Sequence, residues 1–274
     1  MRISEYHLGF LGFGSMAQVL FKAIDRAKLI SRSQIVFHRR DPDKARKNEQ
    51  EFGITATSLA HLLKTSDLVI LGVRPQQLAP LLKEMADLKE PLKPLISMAA
   101  GVQLKSYQER LGEVPLIRVM PNVASAVGEG MSVLAYGPKV PSAMRDVAEQ
   151  LFSCMGEVME VSEALMDISC AIAGSGPGFV FRLIEAMAQE GVSQGLSYEL
   201  GLKMAAQTFA GAARLILKGH LPEALIAEIA TPNGTTEAGF RVMDQLDIDG
   251  MFKKVVTAAA RRSSSLATQS MLSQ

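Results

Sequence analysis

Near the start of the chain, a glycine-rich segment has the composition and spacing of a phosphate-binding loop. It reads Gly12-Phe13-Gly14-Ser15-Met16-Ala17. This segment fits the pattern G-x-G-x-x-G/A, follows an apolar run and opens an amphipathic stretch. Gly12 permits a tight turn, Gly14 lacks the Cβ that would block a pyrophosphate, and Ala17 lets helix and strand pack closely. The helix start at Ser15 and Met16 offers N–H donors to phosphate oxygens. Because strand, loop and helix follow in order, we favour dinucleotide binding over a chance glycine-rich turn.

The end of the second predicted strand indicates which dinucleotide is bound. An NAD-selective site carries an acid there to hold both ribose hydroxyls. Here the strand ends in His38-Arg39-Arg40, and the first acid is Asp41. Since a guanidinium grips a 2′-phosphate through two parallel hydrogen bonds, we predict NADP(H), with Arg39 and Arg40 as the clamp. NAD(H) is the alternative cofactor, and solvated surface charge is the alternative role for the two arginines.

A third candidate segment, Val73-Arg74-Pro75, follows an apolar run that predicts a buried strand. Ligands of open α/β sheets bind beyond such strand ends. Val73 and Pro75 are therefore predicted to floor the ribose and nicotinamide, with Arg74 beside them. An ordinary strand-to-helix turn explains the same spacing equally well.

The elements that must position these residues change character along the chain. Apolar strands alternate with amphipathic helices up to about residue 162, and only helical patterns follow. We therefore predict an α/β Rossmann-like domain with a mostly parallel sheet over residues 1–162, and an all-α dimerisation domain over 163–274. The predicted strands are His7–Leu11, Gln34–His38, Leu68–Val73, Leu95–Met98, Leu116–Met120, Val133–Tyr136 and Val158–Val161. The predicted helices are Ser15–Lys28, Pro42–Phe52, Ser58–Leu63, Pro75–Met85, Leu104–Leu111, Ser142–Cys154, Ala164–Ile172, Gly178–Gly195, Tyr198–Lys218, Pro222–Ile229, Thr236–Leu246 and Ile248–Leu266.

Composition excludes several classes of partner. The 274 residues carry a formal net charge of +1, so there is no electrostatic case for nucleic acid. No apolar run approaches the ~18 residues of a membrane helix, and no membrane partner is expected. Two cysteines that form no CxxC pair indicate a reduced, cytoplasmic setting. The four histidines lack metal-ligand spacing, so no metal is predicted.

The order of several further motifs resembles the Δ1-pyrroline-5-carboxylate reductase family over nearly the whole chain, from Leu8 to about Leu266. No single motif is decisive, but their occurrence in one order is specific. The matching segments are Gly9–Ala17, Val73–Gln76, Ser97–Gly101, Arg118–Asn122 leading to Val127–Gly130, Gly174–Pro177 and Thr231–Gly239.

That resemblance implies a Rossmann domain, a helical domain that intertwines with a second copy, and reduction of a cyclic imine by NAD(P)H. The turn at Gly234 resembles the family's substrate loop, whose N–H groups hold the substrate carboxylate while the Thr236 hydroxyl contacts the ring nitrogen. Thr236 is then the catalytic residue, and Ala99 joins the cofactor site. The implied substrate residues are Thr231, Asn233, Gly234, Thr235, Thr236 and Asn122. Taken alone, this turn is better explained as a capped helix start without a ligand, because such caps are common.

Three departures from the family pattern bear on the substrate. Asn122 is followed by Val123-Ala124 where Thr-Pro is usual, Ala173 stands where a serine is common, and Asn233 replaces a glycine. Asparagine tolerates positive φ, so the turn is expected to survive. The first hypothesis is NADPH-dependent reduction of pyrroline-5-carboxylate to L-proline. The alternatives are a related reductase acting on another imine or carbonyl acid, and a catalytically weak NADP-binding paralogue with a regulatory role.

Overall fold

A computed structural model of the chain describes residues 2–88 and 90–272. The chain forms two compact units, of which the second is Gly176–Val256. The first comprises the residues up to Ser175 together with the last helix from Thr257 onward. The predicted domain boundary near residue 162 lies just after the end of the last strand. The two compact units, in contrast, divide after Ser175. The reason is that Met166, just after that strand, is buried with Met120 of the sheet.

The first unit is built around one eight-stranded sheet, whose strand order is β3-β2-β1-β4-β5-β6-β7-β8. Every neighbouring pair is parallel except β6 and β7, which confirms the predicted mostly parallel sheet. The two-residue strand β3 was not predicted, because two residues are too few to show a pattern. The bounds are β1 Leu8–Leu11, β2 Ile35–His38, β3 Thr55–Ala56, β4 Leu68–Leu71, β5 Leu95–Ser97, β6 Leu116–Met120, β7 Gly130–Tyr136 and β8 Gly156–Glu160.

Helices cover both faces of this sheet and follow the predicted spans closely. The second helix illustrates why: its Asp41 carboxylate accepts hydrogen bonds from the N–H groups of Asp43 and Lys44, Pro42 occupies the first turn, and Gly53 ends it at φ 64°. The bounds are α1 Ser15–Arg26, α2 Pro42–Phe52, α3 Leu59–Thr65, α4 Pro75–Asp87, α5 Leu104–Leu111, α6 Ser142–Ser153 and α7 Met166–Ser169. Short 3-10 helices span Ile3–Glu5, Arg32–Gln34, Val123–Val127 and Glu163–Leu165, and a π-helical turn spans Cys170–Gly174.

An aromatic cluster packs under the glycine loop. The Phe13 ring, at the loop itself, lies 4.9 Å from Phe37 and 5.3 Å from Phe52, measured between ring centroids. Phe10 and Phe21 complete the cluster, and all five rings are buried. Since Phe13 sits between the two loop glycines, its burial anchors the loop to the core.

The second unit consists of helices with little core of their own. Its buried residues within the described helices are Ala188, Gly201 and Ala205, all small. Large apolar side chains are exposed instead, including Phe181 at 59% and Leu217 at 74%. Such an apolar surface must be covered to be stable in water. The helices are α8 Gly176–Ser193, α9 Tyr198–Leu217, α10 Pro222–Ile229, α11 Thr235–Gln245 and α12 Ile248–Leu272, the last extending into the first unit.

One helical stretch, Glu163–Ser193, is long and apolar enough to cross a membrane on length and composition alone. The expectation concerned uninterrupted apolar runs of ~18 residues, and this stretch contains none, because charged residues such as Asp167 and Arg182 interrupt it. The mean hydropathy over a window of residues, rather than an unbroken apolar run, is what identifies it. Length and composition by themselves are weak evidence for insertion, because a helix that packs against protein passes the same test.

Candidate active site

A cavity of about 820 Å³ lies beyond the carboxyl ends of the first unit's strands. It spans the position where the strand order reverses, between β1 and β4, which is where open α/β sheets bind nucleotides. Its volume falls within the range of cofactor sites. The lining residues are Gly12, Phe13, Gly14, Ser15, Met16, Gln18, His38, Arg39, Arg40, Asp41, Lys44, Gly72, Val73, Arg74, Pro75, Gln77, Leu81, Met98, Ala99 and Ala100.

The two loop glycines have different reasons to lack a side chain. Gly12 has φ 85°, and a Cβ there would lie 2.5 Å from Val73 Cγ1, so the fold itself requires glycine. Gly14 has φ −85°, and the nearest atom to a Cβ there would be Gly72 O at 3.9 Å. The protein's own packing therefore leaves room for a side chain at Gly14. The absence of one suits a ligand that approaches the backbone closely.

The amino end of α1 supplies the complementary donors. Gly14 is its N-cap residue, and no side chain caps the helix. The N–H groups of the first turn, at Ser15 and Met16, therefore face the cavity with the positive end of the helix dipole. Ala17, which is 1% exposed, packs beneath them against Gly72, where a Cβ would come within 3.1 Å of the Ala17 Cβ. The arrangement fits a pyrophosphate.

The backbone carbonyl of Phe13 is held by side chains from two helices and a strand end. It accepts hydrogen bonds from Gln18 Nε2 at 3.2 Å, from Arg39 Nη1 at 3.0 Å and from the buried Asn48 Nδ2 at 3.3 Å. These bonds fix the loop between the glycines. They also engage Arg39, which was predicted as half of the phosphate clamp, so one of its N–H groups serves the loop.

Positive charge gathers where the second strand ends. Arg40 is exposed on the cavity wall and approaches Glu84 at 3.4 Å, and Lys44, in the first turn of α2, also lines the cavity. Lys44 was not singled out from the sequence, although its position in the first turn of the helix that follows the strand was the available signal. The Asp41 carboxylate caps α2 and pairs with Lys44 at 3.1 Å. The bonds from Lys44, backbone first, lower the pKa of Asp41, and its oxygens are thus occupied rather than free for ribose hydroxyls. This edge suits a 2′-phosphate.

The predicted substrate turn lies in the second unit and has the geometry that its sequence implied. Asn233 adopts φ 60°, as expected for asparagine replacing a glycine, and its N–H donates to Glu237 at 2.7 Å. Gly234 is the N-cap of α11, and no side chain caps the helix. The N–H groups of Thr235 and Thr236 in the first turn are therefore placed to receive an anion. The Gly234 N–H is used within the turn, donating to Thr231 O at 2.9 Å.

Asn122, predicted from the resemblance to bind substrate, is engaged by the first unit itself. Its side chain donates to Ala173 O at 3.0 Å and accepts from the Ala124 N–H at 3.1 Å. The residue is 8% exposed. In this structure it joins the end of β6 to the π-helical turn, and its role toward substrate stays a prediction.

Metal-dependent catalysis and catalysis by a cysteine nucleophile find little support in the described part of the chain. No group of three or more His, Cys, Asp or Glu residues is placed there to hold a metal ion. Burial raises the pKa of the Cys154 thiol to about 11 and also raises that of Cys170. A raised thiol pKa favours the neutral, weakly nucleophilic form.

The switch-point cavity, the glycine loop and the cationic edge together define an NADP-dependent oxidoreductase of the Rossmann type. Residues 7–101 accordingly match the family model "NADP oxidoreductase coenzyme F420-dependent", and residues 163–266 match "Pyrroline-5-carboxylate reductase dimerisation". The chain belongs to the pyrroline-5-carboxylate reductase family. The second match also indicates that the helical region, with its exposed apolar faces, self-associates.

Relatives and solved structures extend this likeness over almost the whole chain. The pyrroline-5-carboxylate reductase of Pisum sativum is 34% identical, covering 96% of this chain and 96% of its own length. Pyrroline-5-carboxylate reductase 1 of Bacillus subtilis is 33% identical, covering 93% and 88% respectively. The Plasmodium falciparum pyrroline carboxylate reductase, solved with NADP bound, has a TM-score of 0.87 at 26% identity and covers 97% of this chain and 99% of its own.

Proposed function

We propose that this protein reduces L-Δ1-pyrroline-5-carboxylate to L-proline with NADPH, the last step of proline biosynthesis. The observation that carries the proposal is the nucleotide cavity at the switch point of a chain that is 34% identical to a pyrroline-5-carboxylate reductase over 96% of its length. When bound, NADPH supplies a hydride to the imine carbon.

The chain's own residues do the binding and positioning. The first turn of α1 holds the pyrophosphate, Arg40 and Lys44 hold the 2′-phosphate, and Val73 and Pro75 floor the ribose and nicotinamide. A protonated imine is already electrophilic. The protein must therefore mainly align the C=N bond with the cofactor and exclude water, and no metal or covalent nucleophile is needed.

The turn before α11 recognises the substrate in this proposal. The N–H groups of Thr235 and Thr236 bind the carboxylate at the positive end of the helix. The Thr236 hydroxyl contacts the ring nitrogen and stabilises its proton in the charged imine. Two chains form a homodimer through intertwined C-terminal helices, which covers the apolar faces of the second unit, and the enzyme works in the cytoplasm.

The direct test is steady-state reduction of pyrroline-5-carboxylate by the purified protein, with NADPH and NADH side by side. Turnover with formation of proline supports the proposal. Turnover of another imine or carbonyl acid alone identifies the related reductase. Retention of NADPH without turnover identifies the weak paralogue.

Replacing Arg40 with alanine should raise the Kd for NADPH on the order of ten- to a hundredfold, the worth of a charge-assisted phosphate contact. The Kd for NADH should stay within about twofold, because NADH has no 2′-phosphate to lose. Nucleotide fluorescence titration measures both constants. Arg46→Ala is the matched control, since Arg46 is an exposed arginine in the adjoining helix α2 and pairs with Asp43 outside the cavity lining. Equal losses for both nucleotides would contradict the clamp.

Replacing Thr236 with alanine should lower kcat/KM on the order of ten- to a hundredfold, the effect of losing one hydrogen bond to a charged or developing group. The Kd for NADPH should not change, because Thr236 acts on the substrate. Thr236→Ser keeps the hydroxyl and should retain most of the rate. A Thr236→Ala enzyme with normal kcat/KM would remove this residue from the reaction.

A further inference from the structure

Helix α5 is capped by a carboxylate from a distant part of the chain. Its N-cap residue, Gln103, makes no side-chain cap hydrogen bond. Instead, Glu163 Oε1 accepts from the backbone N–H of Leu104 at 2.6 Å. A carboxylate at a helix start satisfies a free donor and meets the positive end of the dipole. The cap of α5 therefore comes from the residue that opens the helical region after β8.

The same oxygen of Glu163 is held by a buried arginine. Arg118 Nη1 of β6 donates to Glu163 Oε1 at 2.9 Å, and the Arg118 side chain is 6% exposed. Its Nε has no hydrogen-bond partner among the described residues. Burying a guanidinium with an unpaired N–H costs free energy, so the pair is a poor device for stability alone. Fixing the position of the Glu163 carboxylate is a better account of it.

The other end of the segment before α5 is anchored as well. Ser97 Oγ, at the end of β5, accepts from the Ala99 N–H at 3.2 Å and hydrogen-bonds to the Tyr107 hydroxyl. Ser97 and Tyr107 are both buried. Burial raises the pKa of Tyr107 to about 12, so its hydroxyl stays protonated at neutral pH. The segment 98–103 is thus fixed at one end by the buried Ser97 and Tyr107 and at the other by the half-buried Glu163.

This doubly anchored segment forms one wall of the nucleotide cavity. Met98, Ala99 and Ala100 line it, and Gly101 at φ 73° turns the backbone toward α5. We propose that Glu163, oriented by Arg118, is a positioning residue for the cofactor: by capping α5 it holds the Met98–Ala100 wall in the geometry that binds NADPH. The inference rests on the proposed function for the identity of the ligand.

The test compares Glu163→Leu with wild-type protein at 25 °C. The variant should raise the Kd and the KM for NADPH on the order of tenfold, as misplacement of a binding wall does, with a smaller change in kcat and in the KM for the imine. Hydrogen exchange of the amides in residues 98–104 should quicken. Glu163→Gln keeps an oxygen acceptor for Leu104 and should bind NADPH better than Glu163→Leu. The matched control is Glu160→Leu, which breaks the exposed Arg145–Glu160 pair (3.3 Å) in the same unit and should leave the NADPH constants unchanged.

A double variant separates positioning from stability. In Arg118→Met with Glu163→Leu no charge is left buried and unpaired, so folding should recover relative to Glu163→Leu, while α5 remains uncapped. NADPH affinity should then stay about tenfold low in a well-folded protein. Wild-type affinity in this double variant would overturn the inference, as would an equal loss in Glu160→Leu. Failure of the wild-type protein to bind NADPH would instead overturn the proposed function, and the inference with it.

Discussion

Gly14→Ala should weaken NADPH binding on the order of a hundredfold, the loss of about two charge-assisted contacts to phosphate. The added methyl would stand where the pyrophosphate approaches the backbone at the start of α1. Yet the variant should unfold at the same urea concentration as wild type, because the nearest protein atom to that Cβ is 3.9 Å away and φ is −85°. Nucleotide titration and a urea unfolding curve measure the two effects.

Gly12→Ala is the contrasting control two residues away. Its Cβ would lie 2.5 Å from Val73 Cγ1 on a backbone at φ 85°. Strain and overpacking together should cost about 2–5 kcal/mol of unfolding free energy. If Gly14→Ala binds NADPH normally, or is destabilised as much as Gly12→Ala, the cavity does not hold a pyrophosphate at this loop.

The protein should behave as an assembly of at least twice the 29.6 kDa of one chain. Phe181→Glu should shift it to the monomer mass in light scattering, because a symmetric interface carries the substitution twice and each copy places a charge on an apolar face. Each lost side-chain burial alone is worth about 1.5–3 kcal/mol. The second unit should also lose helical circular dichroism, since its own buried residues are small.

Met159→Glu is the matched control for this experiment. Met159 on β8 is 57% exposed and Phe181 is 59% exposed, but Met159 lies in the first unit, which has its own core. Its substitution should leave the mass unchanged. A wild-type protein that is monomeric at micromolar concentration would contradict the proposed homodimer.

The sequence predicted those parts of the fold and site that depend on neighbouring residues. The glycine loop, the helix start at Pro42 and the strand ends at Leu11 and Met120 follow from local rules of turn, cap and periodicity, and all appear in the structure. The positive φ of Asn233 belongs to the same group, because it depends on a single turn.

The parts that the sequence did not reveal depend on contacts between distant segments. The Arg39 bond to Phe13 spans 26 residues and the Glu163 bond to Leu104 spans 59. Neither pattern is periodic, so only the folded chain brings the partners together. Lys44 could have been predicted from the sequence, because it lies in the first turn of the helix that follows the strand. The predicted clamp comprised only the adjacent Arg39 and Arg40 and therefore left Lys44 out.

The return of α12 to the first unit governs when that unit can be finished during synthesis. Ser263 of α12 is 4% exposed and donates to Asp167 Oδ1 at 2.7 Å, although the two residues are 96 positions apart. A nascent chain can complete the sheet through β8, but the contact between Ser263 and Asp167 cannot form until residue 263 has left the ribosome. The helices of the second unit are synthesised in that interval. Their apolar faces are therefore available to a second copy of the chain before the first unit is complete.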